Sequence, residues 1–189
     1  MSSFNELLQK RRSIRSFEER EVPLALIKEI LRESTLAPSA SHAQPWHFII
    51  INNRDVMKRV SDECKRSLLE RIEANPVIPL SGYKEALSNA DFNIFYNAPC
   101  VVYIVGPAEA GSLEVDCALL ASYLMFSAAQ RGLGTCWIGL GADIQDPDIR
   151  EEIGMPPQYR IVAPIIVGYP GVIPEPLPRD EPKILKIIS

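Results

Sequence analysis

Three arginines and a hydroxyl stand within five residues near the start of the chain, as Arg11, Arg12, Ser13 and Arg15. Guanidinium groups offer paired N–H donors that match phosphate or carboxylate oxygens, so such a cluster can hold an anion. The same residues also suit the solvated end of a first helix, where cations oppose the helix dipole. Taken alone, the segment reads first as that helix end. Arg179 lies within the proline-rich stretch EPLPRDEP. It is either a solubilising charge or a further cation returning to the same anion site.

A second constellation, APSASHAQPWHF, runs from Ala37 to Phe48. Small residues let a flat ring system approach the backbone, and the hydroxyls of Ser39 or Ser41 can bond it. A plain helix-to-strand loop would use the same Pro-Ser chemistry. The third, GLGTCWIGLG from Gly132 to Gly141, lacks both the GxGxxG spacing and the lysine of a phosphate loop. That excludes a Rossmann or nucleotide-triphosphatase site. Such a glycine-rich stretch either presents N–H groups to a ligand or is a helix cap followed by a tight turn. The only histidines, His42 and His47, make no HExxH pattern, and Cys64, Cys100, Cys117 and Cys136 stand too far apart for a zinc or iron–sulfur motif. No metal site is expected, and no Ser–His–Asp pattern points to a protein nucleophile or base.

Elements of several kinds must position these residues. With 189 residues the chain can bury one real core, and a single domain spanning 1–189 is expected. Ser3 and Glu6 have capping-box spacing, so a helix should start at Phe4 and turn Leu7 and Leu8 inward. Pro23 opens a second helix with Leu24, Ile27, Ile30 and Leu31 on one face, ended by Pro38. Trp46 to Ile51 reads as a buried strand. Val56, Val60, Cys64 and Leu68 step by fours along a helix reaching Arg71 or beyond. Asn75 to Tyr83 looks like an exposed loop, and Cys100 to Val105 is a second strand. From Ser112 to Arg131 the pattern is apolar all round, so that helix is buried centrally or across a subunit interface, with Gly132 as its cap. A turn-rich stretch, a short helix near Asp148 to Ile153 and a strand from Arg160 to Val167 follow. From about residue 169 a proline-rich arm is expected to lie over a surface. The mixture is α+β. A net charge of -4 with mixed signs argues against a general nucleic-acid binder. A polar start and no long apolar run predict no signal peptide and no membrane span, and the scattered cysteines suit a reducing cytoplasm.

The segments RRSIR with Phe17, PSASHAQPWHF, Ala98-Pro99 before a strand, LGTCWIG, and GYP with a late proline-arginine occur in one order over nearly the whole chain. Together they resemble the nitroreductase family of FMN enzymes. The resemblance implies an α+β homodimer with a small central sheet wrapped by helices and FMN at the subunit interface. It implies that Arg11, Ser13 and Arg179 hold the FMN phosphate, with Arg12 flanking them and Arg15 facing the pyrimidine end of the flavin. Pro38, Ser39, Ala40 and His42 would come from the opposite subunit, and the backbone of Ile138, Gly139 and Leu140 would face the reactive ring nitrogen. Many family members carry asparagine where this chain has His42. The implied activity is hydride transfer from NAD(P)H to a nitroaromatic, quinone or flavin in a ping-pong cycle, the flavin carrying the chemistry. Flavin fragmentation, reductive dehalogenation and FMN binding without turnover are the alternatives. A substrate cover, if the chain has one, is expected between Cys64 and Phe95.

Overall fold

The apolar run that begins at Cys100 is the strand around which the rest packs. In the computed structural model, which describes residues 3–188, it forms β2 (Cys100–Pro107) and only Pro107 escapes full burial. It lies between β1 (His47–Ile51) and β4 (Tyr159–Gly168), and β4 carries β3 (Gly134–Trp137) on its far side. The order is β1-β2-β4-β3, antiparallel throughout. Branched residues fill β2 and β4, which suits a pleated surface covered on both sides. Because side chains alternate between faces, the sheet supports two separate cores. Val102, Ile104, Ile165 and Val167 join Ile27 and Ile30 of α2 (Leu24–Ser34) and Leu120 and Leu124 of α5 (Leu113–Gln130). Val101, Tyr103, Val105 and Ile166 join Val60, Cys64 and Leu68 of α3 (Arg54–Ala74). The fold is therefore α+β, a small sheet with helices against both faces.

Several expectations need correction. The strand read from Trp46 starts at His47, and only Ile51 of its five residues is buried. It is an edge strand, paired on one side alone, so its isoleucine run is half covered. The turn-rich reading of the glycine segment fails for Gly134–Trp137, which is β3. Leu8 of α1 (Phe4–Lys10) is exposed, not turned inward, and Leu7 is half-buried. Of the expected capping box only the forward half forms, with the Glu6 N–H donating to Ser3 Oγ at 3.3 Å. The stretch after α3 is not all loop: a 3₁₀ turn at Pro79–Tyr83 leads into α4 (Lys84–Ser88). The short helix near Asp148 is α6 (Pro147–Glu152), capped by Asp146.

The all-apolar helix is α5. Gly132 closes it at φ +75°, and the Leu133 N–H donates back to Ala128 O at 3.0 Å, the Schellman arrangement that only glycine enters without strain. One face of α5 packs on the sheet and α2, yet Val115, Leu119 and Tyr123 remain 65%, 40% and 43% exposed in the single chain. These lie four residues apart and form one apolar stripe. The proline-rich arm begins at Tyr169 with ladder-like ties, Glu18 N–H to Tyr169 O (3.0 Å) and Gly171 N–H to Ser16 O (2.8 Å). Beyond these it runs extended and exposed.

Gly134 shows how tightly β3 is approached from outside the sheet. A Cβ there would stand 2.6 Å from Ile14 Cγ1 and 2.8 Å from Ile14 Cβ. Gly134→Ala should therefore displace Ile14 and lower stability by about 1–3 kcal/mol, the usual cost of overpacking. Chemical denaturation would read this, and an unchanged midpoint would mean that the contact is slack.

Candidate functional site

The arginine segment belongs to the helix end only through Arg11, the C-cap of α1, whose N–H donates to Leu7 O at 2.9 Å. α1 stops at Lys10, and Arg11 is already extended at φ -60°, ψ 129°. Ser13 bridges Thr135 of β3 in parallel, and the Ile14 N–H donates to Thr135 O at 3.0 Å. In extended chain, residues alternate between two sides. RRSIR thus puts Ile14 into the interior, where it is 3% exposed, and sets Arg11, Ser13 and Arg15 together on the opposite side. Burial of that isoleucine, worth about 1.5–3 kcal/mol, anchors the polar residues on either side of it.

Arg11, Arg12, Ser13 and Arg15 line one cavity of about 780 Å³, closed on another side by the arm through Pro174, Leu177 and Arg179. Its volume lies within the roughly 300–1,000 Å³ of small-molecule sites. The arm stretch thus brings Arg179 back to the N-terminal cations, one of the two placements open to it in the sequence. Glu175 is the one acidic residue on this wall. Arg12 donates to Arg11 O at 2.8 Å, while its Nε is buried and finds no partner among the described residues. A buried donor left unanswered costs free energy unless something accepts from it. Nearby, burial pushes the Cys136 thiol up, against the opposing pull of Arg15, Ser13 and Arg11.

Past Thr135, β3 runs on to Trp137 and is followed by Ile138. The Ile138 N–H is tied to Pro164 O at 2.8 Å, and Ile138 O accepts from Gly141 N–H in a 3₁₀ turn over Gly139–Ala142. Gly139 is exposed and Leu140 half-buried, so this turn reaches the surface. Arg15 Cζ stands 5.8 Å from the centre of the Tyr96 ring.

Pro38, Ser39, Ala40 and His42 lie elsewhere. The Ala40 N–H donates to Asp116 Oδ1 at 3.0 Å, in the first turn of α5, whereas Arg11 and Gly132 share a small cavity at the other end of that helix. At 1.5 Å per residue, the 16 residues between Asp116 and Gly132 span about 24 Å. One chain does not close these groups into a single site. The segment is itself specific in shape: Ser41, His42 and Gln44 all have positive φ, near 50°, and Ser39 Oγ accepts from the Gln44 N–H at 3.1 Å. Gln44 Nε2 reaches His42 Nε2 at 2.9 Å.

Asp116 and Tyr96 are contributors that sequence reading passes over. The first shares the start of a largely apolar helix with another acid, Glu114; the structure separates them, since Glu114 is exposed while Asp116 is 2% exposed and has partners, the Ala40 N–H and Ser112 Oγ. Nothing in the sequence distinguishes Tyr96. Among the described residues, no group of three or more His, Cys, Asp or Glu residues is arranged to hold a metal ion.

A model of the nitroreductase family matches residues 8–169. An Archaeoglobus fulgidus protein named putative NADH dehydrogenase/NAD(P)H nitroreductase is 25% identical over 166 residues, 87% of this chain and 84% of its own. The iodotyrosine deiodinase of Thermotoga neapolitana is 25% identical over 191 residues, 96% of each chain. Among solved structures, a nitroreductase with bound FMN from Bacteroides fragilis superposes with a TM-score of 0.84 at 21% identity, covering 99% of this chain and 100% of that one. At that identity the likeness establishes the fold.

Asp116→Ala should release the 38–44 segment without unfolding the sheet. Hydrogen exchange at the Ala40 amide is expected to speed up roughly tenfold or more, the loss of one bond to a charged acceptor. An unchanged rate would show that the segment is held by other means.

Proposed function

The chain belongs to the nitroreductase family, and on that premise we propose that it is an FMN-dependent oxidoreductase that uses NAD(P)H and works as a homodimer. The observation that carries this reading is the convergence of Arg11, Arg12, Ser13, Arg15 and Arg179 on one cavity. Four guanidiniums sharing a wall repel one another, and an anion relieves that repulsion. The buried Arg12 Nε likewise calls for an acceptor. These residues fit a flavin mononucleotide, whose phosphate would take Arg11, Ser13 and Arg179, with Arg12 beside them.

When bound, FMN supplies the redox chemistry, accepting hydride from NAD(P)H and delivering it to a second substrate in a ping-pong cycle. The protein's part is to bind, orient and polarise. Arg15 stands four positions along the chain from Arg11 and two from Ser13. In the proposed site it faces the pyrimidine end of the ring and stabilises the negative charge that develops there, with no reorganisation needed at that moment. The Ile138–Leu140 backbone, tied down by Pro164 O, forms the wall at the reactive edge. Pro38, Ser39, Ala40 and His42 are contributed by the second copy, consistent with their distance from the arginines in one chain. The apolar stripe of Val115, Leu119 and Tyr123, with Leu8 of α1, supports such pairing, because single chains rarely leave contiguous apolar patches in water. Four buried cysteines, none in a disulfide, support a cytoplasmic location. Among the described residues no helix is long and apolar enough to cross a membrane.

Nitroaromatics, quinones and free flavins are the proposed acceptors. Reductive dehalogenation is the second reading, supported by the end-to-end match to a deiodinase. Anaerobic incubation of the reduced protein with a nitroarene and, separately, an iodophenol distinguishes the two by product.

Purified protein should be yellow, and Arg15→Ala should slow flavin reduction by NAD(P)H about 10²-fold while leaving the thermal midpoint within a few degrees. Colourless protein that takes up no FMN, or equal loss of rate and stability, overturns the reading. Light scattering should give twice the 21.1 kDa chain mass, and Leu119→Lys should shift the protein toward monomer and release FMN. A wild type that is monomeric yet retains FMN would contradict the shared site.

A further inference from the structure

We propose that Tyr96 is the positioning residue for Arg15, a stacking platform that aims its guanidinium at the bound flavin; the inference rests on the reading above. Arg15 is exposed and takes part in no ion pair among the described residues. An unrestrained guanidinium beside three like charges would turn away into water. The contact that fixes it is the Tyr96 ring, 5.8 Å from Arg15 Cζ to the ring centre.

Tyr96 reaches that place only through an unfavourable backbone. Its φ is +54° and that of Asn97 is +53°. The left-handed region is tolerable for asparagine but costly for a bulky aromatic residue, and such outliers persist only where the surroundings impose them. Here they do. The buried Lys65 donates to Asn89 O (2.7 Å) and Phe92 O (2.9 Å). Ser61 Oγ accepts from the Ile94 N–H at 3.1 Å, and Asn93 Oδ1 from the Phe95 N–H at 2.8 Å. The Tyr96 N–H itself donates to Asn93 O at 2.9 Å. Ile94 and Phe95 are fully buried, and the Phe92 ring meets Tyr96 edge-on at 5.9 Å. This set of bonds holds the loop against α3, and of its two half-buried aromatics, Phe92 and Tyr96, it is Tyr96 that meets Arg15. The loop's strain and its bracing both serve that contact.

Two variants test this without relying on turnover. Tyr96→Gly removes the ring and also the cost of the positive φ, so it should fold with an equal or higher thermal midpoint; Tyr96→Phe keeps the ring. In FMN-free protein, the ring-current shift of the Arg15 δ-methylene protons should be present in wild type and Tyr96→Phe and absent in Tyr96→Gly. On titration with FMN, Tyr96→Gly should bind about two- to five-fold more weakly, the worth of one exposed cation–π contact. Tyr96→Phe should match wild type, and affinity for inorganic phosphate should be equal in all three. An Arg15 signal indifferent to the ring overturns the assignment, as does a loss of FMN affinity equal in Phe and Gly. A wild type that takes up no FMN, seen in the flavin absorbance, overturns the reading of the cavity and takes this assignment with it.

Discussion

The packing of extended residues 11–15 alongside β3 is the constraint on which the site depends. It consists of little: a bridge between Ser13 and Thr135, one backbone bond from Ile14, and an isoleucine pressed onto a strand that has glycine at the point of contact. The alternation of extended chain does the rest, because fixing Ile14 inward commits Arg11, Ser13 and Arg15 to a common side. The sheet behind β3 is braced by β2 and by the buried half of β4, Ala163–Gly168, so the arginine segment is backed by the core of the sheet. Backing of this kind is what electrostatic preorganisation requires.

The cations are costly to gather, and the chain as a whole carries a net charge of -4. The cluster is a local feature set against a mildly acidic background. Proximity of Arg11, Arg12, Arg15 and Arg179 raises the free energy of the empty cavity and lowers it again when an anion enters. The Asp143 network, away from the cavity, ends in satisfied pairs, whereas Tyr103 Oη and Arg160 Nε, like Arg12 Nε, are buried without a partner among the described residues. Asp143 accepts from Ser67 Oγ, Gln145 Nε2 and Arg71, and although burial raises its pKa, those bonds outweigh burial and hold it below the usual carboxylate value. The arginine cavity differs in gathering four guanidiniums against one carboxylate, Glu175, and that excess of positive charge marks it as a place for an anion.

The main helices and strands were legible because their signals are local. Periodicity found α2 and α3, an all-apolar run found α5, and capping-box spacing found the start of α1. The cluster at Arg11–Arg15 and the late Arg179 were legible as residues, but the helix-end reading of the former holds only for Arg11, the C-cap of α1, and the extended course beyond it was not visible. The reason is physical: Ile14 is a single buried residue, too short a pattern to reveal a strand, and its partner Gly134 lies some 120 positions away. The same holds for β3, whose Gly134 looks like a turn residue until Ile14 is seen to occupy the space that a side chain would fill. Edge status misled the reading of His47–Ile51, since an isoleucine run carries no mark of whether its outer face is covered. Asp116 was visible only as one of two acids at the start of a largely apolar helix, with nothing to mark it, and not Glu114, as the buried one. Tyr96 was not visible at all, because a positive φ in a tyrosine is imposed by tertiary bonds from Lys65, Ser61 and Asn93 and leaves no trace in residue type.

The central claim is that the arginine cavity of one chain is completed by the 38–42 segment of another. Subunit complementation tests it most directly. An Arg11→Ala/Arg179→Ala chain lacks the phosphate cradle, and a chain with Pro38 to His42 replaced by a glycine linker lacks the second wall. Each alone should bind no FMN. After unfolding, mixing and refolding together, half the dimers are mixed and each holds one intact site, so about a quarter of the sites should take up FMN. No recovery on mixing, with mixed dimers present by mass spectrometry, would mean that both walls belong to the same chain.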